Sequence, residues 1–149
     1  MNKILLMHGA NLNYLGKRDV NHYGNLSLQD IENLTSQAAN KLNYELITYQ
    51  SNHEGYLIDA LQNYSAICDG IIINFGALSH YNYALYDALL DTNLPVIEVH
   101  LSDINQREAW RKQSVTAPAC IKVIYGKKEQ GYIEALQLLI KYLTTQHDK

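Results

Sequence analysis

The chain is poor in the residues that mark cross-linked, membrane-spanning or strongly charged proteins. Two cysteines, Cys68 and Cys120, form no CxxC pair, which argues against a disulfide scaffold or a zinc ribbon and favours buried free thiols. No apolar run reaches the roughly 20 residues that cross a bilayer, and Ile4–Met7 is too short for a signal peptide, so we expect a cytoplasmic protein. A net charge of −3 with 18% charged residues gives no footprint for nucleic acid or an acidic membrane.

The sequence also lacks the motifs of several enzyme classes. It has no GxGxxG fingerprint and no Walker A loop, which argues against dinucleotides and nucleoside triphosphates. The six histidines show no HxH or HxxxH spacing, although spacing does not address a metal site that only the fold assembles. No nucleophile elbow is present. What remains is acid–base chemistry by His, Tyr and Arg on a small substrate.

Apolar runs alternate with helical periods along the whole chain, without a linker rich in Pro, Gly or Ser, which predicts a single α/β domain over residues 1–149. The third run is nearly all isoleucine, as expected of a strand buried on both faces. Five parallel strands of this kind commonly adopt the order 2-1-3-4-5 with helices on both faces. The predicted strands are Lys3–His8, Tyr44–Tyr49, Gly70–Asn74, Pro95–His100 and Ile121–Tyr125.

Apolar residues recur at helical spacing in the segments that follow four of these predicted strands. A capping-box pattern at Ser27–Asp30 predicts the start of the first helix. Similar spacing recurs within Leu57–Leu61, Ala84–Leu89 and Ile133–Leu143. The fourth crossover is weakly patterned around Asn105–Arg111, so no long helix is predicted there.

Polar residues end the predicted strands 1, 3 and 4, whose carboxyl ends are neighbours in the order 2-1-3-4-5. Asn11 follows the first strand, Asn74 closes the third, and Glu98 and His100 close the fourth. Two residues apart in an extended segment, Glu98 and His100 face the same side, so the carboxylate can orient the imidazole as an acid or base. The alternative is a core histidine satisfied by its neighbour, but the position at a strand end favours a catalytic pair.

The segment Asn74–His80 leaves strand 3 and is predicted to enter a helix directly. Ser79 then either meets an anion at the helix N-terminus or caps that helix, and the sequence does not choose between these roles. His80 lies near the first turn and is an open candidate for a ligand contact.

An eighteen-residue stretch, Gly9–Leu26, has no helical or strand period and carries Asn11, Arg18 and Tyr23. Connections in compact domains are usually much shorter, so we interpret this one as a catalytic lid. A tyrosine acts as a base near neutral pH only if a cation stabilises its phenolate. Arg18 is the first candidate for that cation and Arg111 the second, although either side chain can equally be a solvated surface charge.

Taken together, these segments resemble the type II 3-dehydroquinate dehydratases, enzymes of the shikimate pathway. The resemblance runs from about Lys3 to Leu143 and depends on the order and spacing of several motifs. These motifs are His8–Asn13 with Leu15, Gly16 and Arg18, then Tyr23–Gly24, Gln50–Gly55, Asn74–His80, Ile97–Ser102, Arg107–Arg111 and Gln130–Tyr132.

The resemblance implies a flavodoxin-like fold and a cofactor-free loss of water from 3-dehydroquinate through an enolate. Tyr23 matches the base and Arg18 the residue that keeps its phenolate accessible. Asn11 matches the residue that holds a water against the enolate oxygen, and His100, oriented by Glu98, matches the acid.

Substrate contacts and assembly are implied in the same way. Asn74, His80 and Arg111 match residues that grip substrate hydroxyls, and the backbone of Leu101–Ser102 matches a carboxylate site. Asp87 is counted with the substrate-binding residues, on a helix that in such enzymes approaches a neighbouring subunit. The family assembles trimers into homododecamers.

The chain departs from the family pattern close to the expected site. Ala10 and Phe75 stand where proline is usual, which predicts a less constrained backbone under Asn11 and Asn74. Asp103 replaces a usual asparagine and adds a negative charge near the expected carboxylate site.

Two alternatives to this enzyme are a dehydratase that uses a lysine Schiff base, for which no lysine is suitably placed, and a flavodoxin-like binding or receiver module.

Overall fold

A computed structural model describes residues 2–147 as a five-stranded parallel sheet enclosed by helices. The strands are β1 (Asn2–His8), β2 (Tyr44–Gln50), β3 (Gly70–Asn74), β4 (Val96–His100) and β5 (Lys122–Tyr125). Each lies within one residue of its predicted bounds at either end. The strand order is β2-β1-β3-β4-β5, as predicted, and every pairing is parallel.

Helices cover both faces of this sheet because successive side chains of a strand point to opposite sides. The helices are α1 (Val20–Tyr23), α2 (Leu28–Lys41), α3 (Glu54–Tyr64), α4 (Tyr83–Asp91) and α5 (Gln130–His147). Ile4 and Leu6 of β1 pack in one apolar cluster with α2 and α5, whereas Leu5 and Met7 pack in a second cluster with α3 and α4. No helix among the described residues is long and apolar enough to cross a membrane.

Local hydrogen bonds explain where two of the helices begin. The predicted capping box at α2 is confirmed, since Asp30 N donates to Ser27 Oγ at 3.1 Å and Ser27 N donates to Asp30 Oδ2 at 3.0 Å. Of the two roles left open for Ser79, that of a helix cap is not the one observed. Residues Gly76–His80 form a 3-10 turn in which Ser79 is buried, and α4 starts later with Asn82 as its cap.

Two connections contain short helical turns that have no sequence period. The segment 9–26, expected to lack regular structure, holds a 3-10 turn at Leu12–Tyr14 and the one-turn helix α1. The fourth crossover consists of three 3-10 turns, Ile104–Gln106, Ala109–Lys112 and Ala117–Ala119. A turn of three or four residues is too short to produce a hydrophobic period.

The carboxyl ends of β1 and β3 approach so closely that two glycines are required. A Cβ on Gly9 would lie 2.4 Å from the carbonyl oxygen of Phe75, and one on Gly76 would lie 2.7 Å from that of Ala10. Gly76 also has a φ of +63°, which L side chains rarely adopt. Phe75, where the resemblance expects proline, is fully buried in the second apolar cluster and holds this segment by packing.

The two cysteines are free, but only one of them is buried. Cys68 is buried, where desolvation raises the pKa of its thiol to about 11. Cys120 was also expected to be buried and is only partly so, because it lies in the irregular crossover before β5.

His8, the last residue of β1, is fully buried and both of its ring nitrogens lack a hydrogen-bond partner. The nearest carboxylate oxygen, Glu32 Oε1, lies 3.8 Å from Nδ1, too far for a hydrogen bond. Burial therefore dominates and lowers the pKa of His8 from 6.5 to about 3. The folded state holds this histidine neutral.

This burial predicts a loss of stability in mild acid. Below pH 6.5 the unfolded chain protonates His8 while the folded chain does not until about pH 3. Well above pH 6.5, His8 does not lower the free energy of unfolding. Below pH 6.5, its protonation in the unfolded chain lowers the free energy of unfolding by about 1.4 kcal/mol per pH unit. The loss of unfolding free energy between pH 7.5 and 5.5, measured by urea unfolding, should therefore be about 1.4 kcal/mol smaller in His8→Asn than in wild type. The exposed His53 offers the matched control, His53→Asn, and equal pH dependence in wild type and His8→Asn would contradict this assignment.

Candidate active site

A pocket lies at the carboxyl ends of β1, β3 and β4, where the strand order places the switch point. Three parts of the chain supply its polar walls: the segment 9–26, the ends of β3 and β4, and the fourth crossover. The polar side chains in its lining are Arg18, Tyr23, Asn74, His80, His100, Ser102, Arg107 and Arg111.

The predicted contact between Glu98 and His100 is confirmed. His100 Nε2 lies 2.8 Å from Glu98 Oε2, and the other carboxylate oxygen, Oε1, accepts a hydrogen bond from Thr116. Burial alone would raise the pKa of Glu98, but hydrogen bonds from His100, Thr116 and Ser114 lower it below its usual range. Glu98 is therefore ionised and fully buried, and it fixes the orientation of a histidine that lines the pocket.

His80 lies against His100, with ring centroids 5.8 Å apart and the planes inclined by 21°. Its Nδ1 lies 2.7 Å from the carbonyl oxygen of Gln113, and because a carbonyl only accepts, Nδ1 must donate. Burial lowers the pKa of His80, and nearby His100 and Arg111 lower it further, against the opposing effect of Gln113. A neutral His80 then presents Nε2 as a hydrogen-bond acceptor.

Tyr23 is held by two arginines in different ways. Arg107 Nη1 donates to the Tyr23 hydroxyl at 2.7 Å, whereas the Arg18 guanidinium lies over the aromatic ring, 3.7 Å from its centroid. Arg107 Nη1 also donates to Ser102 Oγ at 3.2 Å, which joins the crossover to the end of β4. The sequence predicts Arg18 or Arg111 as the partner of the phenol, whereas Arg107 has no predicted role.

The pocket is positively charged. Arg18, Arg107 and Arg111 all line it, and none of the described residues in its lining is a carboxylate. Arg111 is fixed on the outside by Glu108, with Nε 2.7 Å from Oε2, and by Trp110, whose ring centroid lies 4.1 Å from the guanidinium carbon. This arrangement fits a small anionic ligand.

Three predicted site residues, Glu98, Asn11 and Asp87, lie outside the pocket lining, and Glu98 is connected to it through His100. Asn11 is exposed with a φ of 70°, and its backbone N–H donates to Asn52 Oδ1 at 2.9 Å. Asn52 therefore supports the backbone of segment 9–26. Asp87 is exposed on α4, away from the pocket of its own chain. The positions of Asn11 and Asp87 do not test the roles that the resemblance implies for these two residues.

The flavodoxin-like sheet, with a histidine–carboxylate pair beside a pocket at its carboxyl edge, is the architecture of an α/β enzyme. The family model described as dehydroquinase class II matches residues 2–140, so the chain belongs to that family. The 3-dehydroquinate dehydratase of Bacillus cytotoxicus is 48% identical over 143 residues, which cover 96% of this chain and 98% of the relative.

Solved structures lead to the same family. The type II dehydroquinase from Butyrivibrio crossotus superimposes with a TM-score of 0.91 at 44% identity, covering 93% of this chain and 97% of that one. The type II dehydroquinase from Propionibacterium acnes gives a TM-score of 0.90 at 31% identity, covering 95% of this chain and 97% of that one.

Proposed function

We propose that this protein dehydrates 3-dehydroquinate to 3-dehydroshikimate without a cofactor, through an enolate. Membership of the dehydroquinase class II family supports the overall reaction. The observation that carries the mechanism is the placement of Tyr23, bound at its hydroxyl by Arg107, in the same pocket as His100 oriented by Glu98. A base and an acid are thus available to one small ligand.

Tyr23 acts as the base in this proposal. Its phenolate takes a proton from the carbon beside the substrate ketone, and the electrons of that C–H bond move to the carbonyl oxygen to form the enolate. Arg107 donates directly to the phenolate oxygen, and Arg18 supplies a second positive charge at the ring face. Asn11 holds a water against the enolate oxygen, as the resemblance implies.

His100 acts as the acid. When the enolate collapses, the C–O bond to the leaving hydroxyl breaks and His100 supplies the proton that converts this hydroxyl to water. Glu98 occupies His100 Nε2 at 2.8 Å, so Nδ1 is the nitrogen assigned to the proton transfer. The buried carboxylate compensates the positive charge of the histidine before it donates.

The remaining residues of the lining bind the substrate. Asn74, His80 and Arg111 bind its hydroxyl groups, and the backbone N–H groups of Leu101 and Ser102 bind its carboxylate. The excess of arginines in the pocket favours this anionic substrate over a neutral one. Asp103 is partly buried beside the carboxylate site, and its charge opposes binding more than it affects the chemistry.

The proposed reaction is tested by incubating the purified protein with 3-dehydroquinate and following the ultraviolet absorbance of the conjugated enone product. We expect turnover that does not require added metal or cofactor and that survives borohydride in the presence of substrate, because no Schiff base forms. Absence of enone formation would end the proposal. Rapid inactivation by borohydride would instead show a lysine-dependent dehydratase, and flavin absorbance in the purified protein would favour a binding module.

Assembly, location and domain extent remain predictions. The homododecamer would bring Asp87 on the exposed face of α4 toward a neighbouring subunit, which accounts for its distance from the pocket of its own chain. A cytoplasmic location and a single domain over residues 1–149 are likewise proposed, on the pattern of the sequence. Light scattering of the purified protein measures the assembly directly.

A further inference from the structure

Tyr132 lies outside the pocket lining but contacts a residue that belongs to it. The ring is fully buried in the first turn of α5. Its hydroxyl oxygen lies 2.8 Å from Asn74 Nδ2, which donates the hydrogen bond. Asn74 ends β3 and lines the pocket. The buried hydroxyl of Tyr132 therefore contacts the side chain of Asn74, which also lines the pocket.

The orientation of the Asn74 amide follows from its two partners. Gly76 N lies 3.1 Å from Asn74 Oδ1, and a backbone N–H can only donate, so the oxygen of the amide must face Gly76. The NH₂ group then faces Tyr132. It has two N–H donors, of which Tyr132 accepts one, so the second remains for a ligand in the pocket.

Tyr132 is itself fixed by its surroundings. Its ring packs against His8 with centroids 5.4 Å apart and planes inclined by 48°, and both side chains are fully buried. Desolvation raises the pKa of Tyr132 above its usual range, so the hydroxyl is neutral and accepts from Asn74 as a phenol. Removing this hydroxyl would leave the buried side of the Asn74 NH₂ group without a partner.

We propose that Tyr132 is a positioning residue, which fixes the Asn74 amide so that its second N–H points to a hydroxyl of the bound substrate. This inference rests on the proposed function because it assigns a substrate contact to Asn74. Tyr132 does not touch the substrate, and its effect passes entirely through Asn74. The contact concerns binding rather than proton transfer, since Asn74 belongs to neither the base nor the acid.

The test is Tyr132→Phe, which removes one oxygen and keeps the ring that packs against His8. We expect KM for 3-dehydroquinate to rise about 3- to 10-fold, the value of one neutral hydrogen bond, with kcat within about twofold of wild type. The sole tryptophan, Trp110, packs against His80 with ring centroids 5.4 Å apart, so its fluorescence reports binding of 3-dehydroshikimate independently of turnover. The dissociation constant should rise by the same factor as KM.

Two further variants separate positioning from a general loss of stability. In an Asn74→Ala background, Tyr132→Phe should cause no further rise in KM, because the residue through which it acts is gone. Tyr44, buried in the same apolar cluster, provides the matched control Tyr44→Phe, which should leave KM unchanged. Additive effects of Asn74→Ala and Tyr132→Phe on KM, or an unchanged KM in Tyr132→Phe, would overturn the inference.

A crystal structure of the wild type with 3-dehydroshikimate keeps the inference testable even if Tyr132→Phe does not fold. Asn74 Nδ2 should lie within hydrogen-bond distance of both Tyr132 Oη and a ligand hydroxyl. An amide that contacts Tyr132 but not the ligand would refute the positioning role while leaving the activity standing. If the wild type does not dehydrate 3-dehydroquinate at all, the proposed function fails first.

Discussion

Replacing Tyr23 by phenylalanine is expected to lower kcat by at least ~100-fold, the lower limit for losing an acid–base group. The hydroxyl that Arg107 holds at 2.7 Å would be absent, and no other described tyrosine lines the pocket. The change deletes one oxygen from a half-buried ring, so the fold should survive and KM should change little. Initial rates from the enone absorbance, with circular dichroism as a check on folding, measure the effect.

The control for this variant is Tyr81→Phe. Tyr81 is 62% exposed and lies outside the pocket lining, so the same chemical change there should leave kcat as in wild type. Wild-type turnover in a folded Tyr23→Phe protein would remove Tyr23 from the mechanism.

The roles proposed for Arg107 and Arg18 can be tested by changing each arginine in wild type and in the Tyr23→Phe variant. Arg107→Met removes a charge-assisted hydrogen bond to Tyr23 and should lower kcat by about 10- to 100-fold. Arg18→Met removes the cation from the ring face and should also slow turnover. Because both arginines are proposed to act through the phenolate, neither change should reduce kcat much further when combined with Tyr23→Phe. Fully additive losses would show that the arginines act on the substrate instead.

The second large effect is expected for His100→Asn, which should reduce kcat by at least ~100-fold because the leaving hydroxyl would lose its proton donor. The asparagine is smaller and polar, and its NH₂ group can still donate toward the Glu98 carboxylate. Substrate binding should be affected less than turnover. Stopped-flow and steady-state kinetics on the folded variant distinguish the two.

Glu98→Gln provides a graded companion to this variant. The Glu98 carboxylate accepts from His100 at one oxygen and from Thr116 at the other, whereas a glutamine amide can accept at only one of these positions. We expect kcat to fall by about 10-fold, less than for His100→Asn. A larger loss in Glu98→Gln than in His100→Asn would contradict the assignment of His100 as the acid.

The strands and the Glu98–His100 contact could be predicted from the sequence because both depend on short-range geometry. A continuous apolar run such as Ile71–Ile73 is expected for a strand that is covered on both faces. Residues two apart in a strand, such as Glu98 and His100, point to the same side. Once the strand order was assumed, the clustering of Asn74 and His100 followed. The structure confirms that these strand ends meet at one pocket.

The partner of Tyr23 could not be predicted in the same way. Arg107 lies 84 residues from Tyr23 along the chain, in a crossover of 3-10 turns that leaves no period in the sequence. Which of three arginines reaches the hydroxyl depends on how two irregular segments pack, and no local propensity encodes that. The only available signal was the occurrence of Arg107 within a motif of the resemblance.

The bond from Arg107 to Tyr23 connects segment 9–26 with the fourth crossover, above the ends of β3 and β4. A displacement of segment 9–26 away from the crossover would break this hydrogen bond, whereas Arg18, which lies in the same segment, would remain beside Tyr23. Under the proposed mechanism, removal of the substrate proton by Tyr23 therefore depends on segment 9–26 being packed against the crossover.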